Sequence, residues 1–307
     1  MSNELLHPRH WPSWLIVGIF RLLGLLPFRL LWALGMGLGR LSYFLAGSRR
    51  RVALRNLEIC FPELSPRGRS RVAHRHFGYL GVAAFTQGLV WGSSRERLAR
   101  LVKIRNRERF DDLAQEGRNL IIMVPHFVGL ELGGAAFTAL VHPGMYMYQK
   151  IRNPVIDAQM RRSRTRFGAF SVERRDDLRG MVREIRKGMP LFYLPDQDPG
   201  RVRGIFVPFC GIAAATVPML RRFARLTDAV VIPTYARYLP GGQGLELIFD
   251  PPLAPFPTAD RESDTALMNR VIEARARTMP EQYFWVHRRF KTRPPGEPPI
   301  YEPKRRR

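Results

Sequence analysis

Apolar residues dominate the start of the chain. Across residues 11–47, WPSWLIVGIFRLLGLLPFRLLWALGMGLGRLSYFLAG, the charged positions are Arg21, Arg29 and Arg40, and no acidic residue occurs. No window there reaches the roughly 18 uncharged residues of a standard spanning helix. At about 100° per residue, Arg29 and Arg40 fall about 80° and about 100° from Arg21, so the arginines share one arc of an otherwise apolar helix. Pro27 is expected to break the segment into two helices. A cationic stripe opposite an apolar face carrying Trp11, Trp14 and Trp32 predicts a membrane-interface anchor over residues 1–47. The alternative is a core helix of a large soluble domain. SRRR at 48–51 follows directly, and positive charge beside an anchor places that side in the cytoplasm.

Past residue 48 the pattern changes to alternation. Ser65 and Pro66 open a helix predicted over 65–90. Strand-like runs follow at 119–124 (NLIIMV), 145–149, 169–173, 191–195, 204–209, 229–238 and 245–250, with amphipathic stretches at 154–166, 176–187 and 216–226 between several of them. Strand, helix, strand predicts an α/β fold: a mostly parallel mixed sheet flanked by helices. With no linker in sight, residues 48–307 read as one catalytic domain behind the anchor. Ligands of open α/β sheets sit beyond the carboxyl ends of strands. His126 follows one such end and PDQDPG (195–200) follows another, which places both on one rim.

Charge adds a constraint. The chain of 307 residues has a net charge of +24, and of its 50 basic residues only Lys103, Lys150, Lys187, Lys291 and Lys304 are lysine. Such a protein favours acidic partners: nucleic acid, anionic lipid, a phosphorylated substrate or an acidic carrier protein. An arginine-rich proteome produces the same composition. The two cysteines, Cys60 and Cys210, stand far apart in the chain and are expected to form no pair, which suits a reducing compartment.

The candidate chemistry begins at NLIIMVPHFVGLELGG (119–134). On one continuous helix His126 and Glu131 would be turned about 140° apart. They meet only if His126 lies in the turn and Glu131 in the first turn of a helix over 130–140. A glutamate hydrogen-bonded to one ring nitrogen fixes the tautomer and frees the other nitrogen as a base. No serine or cysteine adjoins His126, so the proton it takes belongs to a substrate hydroxyl. A structural histidine after a strand is the competing reading. Asp196 and Asp198 in PDQDPG could bind a divalent metal, position hydroxyls or arginines, or only shape a turn. The clusters RRSRTRFG (161–168), RVRG (201–204) and VHRRFKTRP (286–294) can grip phosphate. His74 and His76 lack a third residue at metal-ligand spacing.

Taken in order, RRRVALRNLEICFPELS, HFVGLELGG, RNPVIDAQMRRSRTRFG, PDQDPGRVRGIFVPFCGIAAAT and PEQYFWVHRRFKTRP resemble the late acyltransferases of lipid A biosynthesis. These are the lauroyl and myristoyl transferases, a branch of the glycerolipid acyltransferase superfamily. The resemblance runs from about residue 11 to residue 294. It implies transfer of a fatty acyl chain from acyl carrier protein to a hydroxyl of a lipid A precursor, with no metal or cofactor. It implies His126 as catalytic base, Glu131 as its partner, and Arg166, Asp196 and Asp198 as substrate-site residues. Its partners would be acyl carrier protein, an anionic glycolipid and the bacterial inner membrane, with the catalytic domain on the cytoplasmic face. Relatives acting on a lysophospholipid, an aminolipid or a phosphoinositol mannoside share the His-x4-Asp/Glu spacing. A nucleic-acid-binding protein is the remote alternative; its reader motifs are missing from the sequence.

Overall fold

The computed structural model describes residues 3–173, 178–201 and 203–302. Residues 176–177 of one expected helix, Val202 of the RVRG cluster and the basic end of the tail, 303–307, lie outside the described residues. Helices α1 (Trp11–Leu23), α2 (Phe28–Leu45), α3 (Gly47–Cys60), α4 (Pro66–Phe85), α5 (Gln87–Gly92) and α6 (Arg95–Leu101) come first. Then follow β1 (Val102–Arg105), α7 (Glu108–Gln115), β2 (Leu120–Met123), α8 (Leu130–Leu140), β3 (Met145–Tyr148), α9 (Pro154–Thr165), β4 (Phe170–Glu173) and α10 (Leu178–Arg186). The chain continues through β5 (Leu191–Tyr193), β6 (Ile205–Phe209), β7 (Ile212–Thr216), α11 (Met219–Thr227), β8 (Val230–Tyr238), β9 (Leu245–Phe249) and α12 (Arg261–Thr278). Caps set several starts. The Ser65 hydroxyl accepts the Gly68 N–H ahead of Pro66, and the Asn153 side chain accepts the N–H groups of Val155 and Ile156 ahead of Pro154.

Among the described residues seven strands form one sheet in the order β1-β9-β8-β2-β5-β3-β4. The block β8, β2, β5, β3, β4 is parallel, β9 runs antiparallel to β8, and β1 runs parallel to β9. The expected α/β fold with a mostly parallel mixed sheet is therefore present. Its central strands are buried on both faces. Ile121 and Met123 join one core cluster with Leu191 and Val231, while Leu120 and Ile122 join the other with Phe192 and Ile232. That is why 119–124 is apolar at nearly every position instead of alternating. The sequence pattern did not reveal α12, because its buried face mixes Asp264, Thr265 and Asn269 with Met268 and Ile272.

The N-terminus differs from expectation. Pro27 does break it into two helices, but no single described helix is long and apolar enough to cross a membrane. Only α2 and α3 together reach that length and composition, bent by 95°. In place of one apolar anchor helix standing before the catalytic domain there are two half-buried helices. Val17, Phe28, Leu31 and Met36 from them share a core cluster with the sheet. Arg21 lies on α1 and donates to Gln159, whereas Arg29 and Arg40 lie on α2. Eleven residues apart, these two are about 20° apart around the helix.

Glycine holds α2 to α4. Gly35 and Gly39 face Gly78 and Gly81, and a methyl group added at Gly39 or Gly81 would collide with the backbone of the facing helix. Gly81→Ala is therefore expected to destabilise the fold by about 2 kcal/mol, read as a lower Tm in detergent. An unchanged Tm would mean that the two helices separate freely.

One further expectation is corrected. Cys60, ending α3, and Cys210, in the turn between β6 and β7, form a disulfide with Cα atoms 4.9 Å apart. Both pack on one core cluster, so the fold joins residues 150 positions apart that no local pattern pairs.

Candidate active site

The site follows from strand register. β2 pairs in parallel with β5, Met123 opposite Tyr193, and the Val124 N–H donates to the Tyr193 carbonyl at 2.9 Å. His126 lies three residues past Met123 and Asp196 three past Tyr193, each directly after a proline. Matching strands thus deliver both side chains to the same rim. The Asp196 Oδ1 accepts from His126 Nδ1 at 2.6 Å, and its Oδ2 accepts the His126 backbone N–H at 2.9 Å. A carboxylate only accepts, so the ring proton sits on Nδ1. Among the described residues Nε2 has no hydrogen-bond partner, and it is the nitrogen left to act as a base.

Electrostatics tie the pair together. Burial pushes the His126 pKa down, but the charge and hydrogen bond of Asp196, joined by the charge of Glu131, raise it above the ordinary histidine value. Burial pushes the Asp196 carboxyl up; the His126 charge and hydrogen bonds, with the charge of Arg289, hold it below the usual carboxylate range. Asp196 is 2% exposed, so its ionised form depends on these partners.

The structure corrects the proposed hydrogen bond between Glu131 and His126. Glu131 does lie in the first turn of α8, as expected, but its carboxylate pairs with Arg164 of α9, Nη2 to Oε1 at 2.5 Å and Nε to Oε2 at 3.4 Å. The Arg164 guanidinium also lies over the Tyr146 ring. Glu131 therefore reaches His126 through its charge alone. Arg166 is likewise turned away from this group: it donates to the Ser93 carbonyl at 2.6 Å and stacks on Phe167. Two positions on a helix are about 200° apart, so Arg164 and Arg166 face opposite ways. Arg164, on the last turn of α9, is the arginine whose side chain reaches the half-exposed Glu131 carboxylate.

Asp198 is occupied within the protein. It accepts the Gly200 N–H, the Thr292 N–H and the Thr292 hydroxyl, and its own N–H donates to His287 Nε2 at 3.1 Å. Burial lowers the His287 pKa to about 4, which keeps that acceptor neutral. Asp198 thereby fastens the PDQDPG turn to the C-terminal segment.

Beside the rim lies a cavity of about 140 Å³. Val90, Ile122, Val124, Leu130, Ala135, Phe137, Phe192 and Leu247 make its wall largely apolar, and its charged lining residues are Glu131 and Arg164. His126 does not line it, although its chain neighbours Val124 and Leu130 do. Gly134 borders this cavity, and a Cβ added there meets nothing within 4 Å.

Residues 1–292 match the family described as bacterial lipid A biosynthesis acyltransferase. A lipid A biosynthesis lauroyltransferase of Escherichia coli K12 is 36% identical over 301 residues, covering 98% of both chains. A lipid A biosynthesis palmitoleoyltransferase of the same strain is 32% identical, covering 98% of this chain and 97% of its own. Among solved structures, the 1-acyl-sn-glycerophosphate acyltransferase PlsC of Thermotoga maritima aligns over 80% of this chain and 96% of its own, with 14% identity and a TM-score of 0.38. Full-length matches at this identity establish that the chain belongs to the bacterial lipid A biosynthesis acyltransferase family and is an acyltransferase.

Proposed function

We propose that the protein transfers a fatty acyl chain from an acyl carrier protein thioester to a hydroxyl of a lipid A precursor, at the cytoplasmic face of the bacterial inner membrane. The observation that carries this reading is the buried Asp196–His126 pair beside an apolar cavity whose charged residues are Glu131 and Arg164. His126 Nε2 takes the proton of the acceptor hydroxyl. The oxygen attacks the thioester carbonyl carbon, the carbon–sulfur bond breaks, and the departing thiolate recovers the proton from His126. Asp196 fixes the ring and stabilises the imidazolium formed on the way. The cavity holds the acyl chain, and Glu131 adds negative charge that favours the protonated ring.

The N-terminal helices supply the membrane face in this reading. Leu30, Leu34, Leu38, Leu41 and Leu45 of α2 and Trp11, Leu15, Ile19 and Leu22 of α1 are exposed. Exposed apolar stripes of this extent mark an interaction surface. Arg29 and Arg40 border the α2 stripe, where lipid headgroups would lie.

The test is a transfer assay on detergent-solubilised protein with acyl carrier protein thioesters and a tetra-acylated lipid A precursor, read by mass spectrometry. Gain of one acyl mass supports the reading. Acylation of a different lipid instead would remove the proposed acceptor. Gly134→Leu tests the cavity's role. The added side chain projects into the space that the acyl chain would occupy, so preference among thioesters should move toward shorter chains by about tenfold or more. An unchanged preference would place the acyl chain elsewhere.

A further inference from the structure

The C-terminal segment 282–293 backs the base. The Phe284 N–H donates to the His126 carbonyl at 3.0 Å, and the Val128 N–H donates to the Gln282 carbonyl at 2.9 Å. Further along, the Thr292 N–H and hydroxyl donate to Asp198, whose own N–H donates to His287 Nε2. The segment has no helix of its own and no strand beyond one bridge at Tyr283. Its position therefore depends on what grips it from outside.

Two elements do so. On one flank stands α3. Its Asn56, 1% exposed, donates to the Trp285 carbonyl at 2.7 Å and the His287 carbonyl at 2.8 Å, and its Arg49 donates to the Val286 carbonyl at 3.2 Å. On the other flank stands the β6–β7 hairpin. Arg289 donates to its Ala215 carbonyl at 2.6 Å and its Thr216 hydroxyl at 2.7 Å, and Arg293 donates to its Ala213 carbonyl at 2.6 Å. α3 packs on α2 and α4, whereas the hairpin packs on α12. The Cys60–Cys210 disulfide ties the two flanks covalently: Cys60 lies one turn beyond Asn56, and Cys210 lies in the hairpin's turn.

We propose that this disulfide is a redox-controlled clasp on the segment. Closed, it holds α3 and the hairpin against residues 285–293; open, it lets the flanks part, and His126 loses its backing. The effect on catalysis rests on the reading of His126 as the base. At the cytoplasmic face proposed above, the bond meets a pool of reducing thiols, where disulfides are usually transient, catalytic or redox-sensing. The opening reaction is exchange with a dithiol. Cys210 is half-buried and Cys60 is 1% exposed, so one thiolate of the dithiol attacks the Cys210 sulfur and Cys60 leaves as a thiolate. The second thiolate of the dithiol then closes onto the first sulfur and releases Cys210. The dithiol gives up two electrons and ends as a cyclic disulfide; the cysteines gain them and each takes up a proton.

The test uses the full chain in detergent, oxidised with diamide or reduced with dithiothreitol, with free thiols counted by alkylation and mass spectrometry. Cys60 and Cys210 are the chain's two cysteines, so the reductant has no other disulfide to open. Two readouts are compared: amide hydrogen exchange of peptides covering residues 282–292, and kcat/KM for acyl transfer. The first reports on the clasp whatever reaction the enzyme catalyses. Reduction should speed exchange by about tenfold or more and lower kcat/KM by about three- to tenfold, and reoxidation should restore both. Cys210→Ser should match the reduced protein in either condition; if it is unstable, the reduction and reoxidation cycle of the wild type decides alone. Failure of the bond to form in diamide, equal exchange in the two states, or faster exchange with an unchanged kcat/KM would each overturn the proposal. A lower Tm on reduction with both readouts unchanged would make the bond a staple only and overturn it too. Redox-dependent exchange with no acyl transfer in either state would uphold the clasp and defeat the proposed reaction.

Discussion

Replacing His126 by alanine is expected to lower kcat for acyl transfer by about 1,000-fold. An acceptor hydroxyl is a poor nucleophile until it loses its proton, and the proposed base is His126, whose Nε2 has no hydrogen-bond partner among the described residues. Its loss leaves Asp196 with the backbone N–H of residue 126, so the carboxylate keeps a donor and the protein should still fold. A circular dichroism spectrum matching wild type would confirm that the loss is chemical. Retention of wild-type rate would end the assignment. The pH profile supplies an independent check. A general base works when neutral, and the His126 pKa is raised by Asp196 and Glu131 against the opposing effect of burial. Activity should therefore rise with pH through a midpoint above about 6.5, the ordinary histidine value, and fall away below it.

Asp196→Asn should cost about 100- to 1,000-fold, for a reason specific to its two hydrogen bonds. Both carboxylate oxygens are acceptors, one for Nδ1 and one for the backbone N–H of His126. An asparagine has one acceptor oxygen and one donor nitrogen. If the oxygen faces Nδ1, the amide opposes the backbone N–H. If the amide faces Nδ1, it forces the ring proton onto Nε2, and the base is lost. Glu131→Gln disturbs neither bond. It removes a charge that raises the His126 pKa, so its acid limb should move to lower pH, and it leaves Arg164 without its partner at the cavity wall. Measuring kcat/KM against pH for both variants separates the two carboxylates. If Glu131→Gln alone abolished the rate at every pH while Asp196→Asn spared it, the roles would be reversed.

Much of this arrangement could be read in the chain before it was seen folded. His126 and PDQDPG were placed on one rim because each follows an apolar run, and the β2–β5 pairing puts them there. The partner of His126 was harder to see. Glu131 is five residues away in sequence, whereas Asp196 is seventy away and becomes adjacent only through strand order. The repeated proline before His126 and Asp196 was the available clue. The break at Pro27 was legible because proline acts locally, but burial of α1 and α2 was not. The glycines that let α2 pack against α4, Gly35, Gly39, Gly78 and Gly81, leave no hydrophobic signature. The Cys60–Cys210 bond was illegible for the same reason as Asp196: nothing local announces a contact made across the fold.

Strand register has a consequence of its own. β2 and β5 meet over Ile121–Met123 and Leu191–Tyr193. A shift of one residue along that short ladder would carry Asp196 about 3.3 Å and point it to the other side of the sheet. Such a molecule would keep its secondary structure and lack a working base. Acyl transfer in this protein is therefore also an assay of correct strand alignment: the same pairing that completes the sheet switches the chemistry on, and a misaligned copy stays silent.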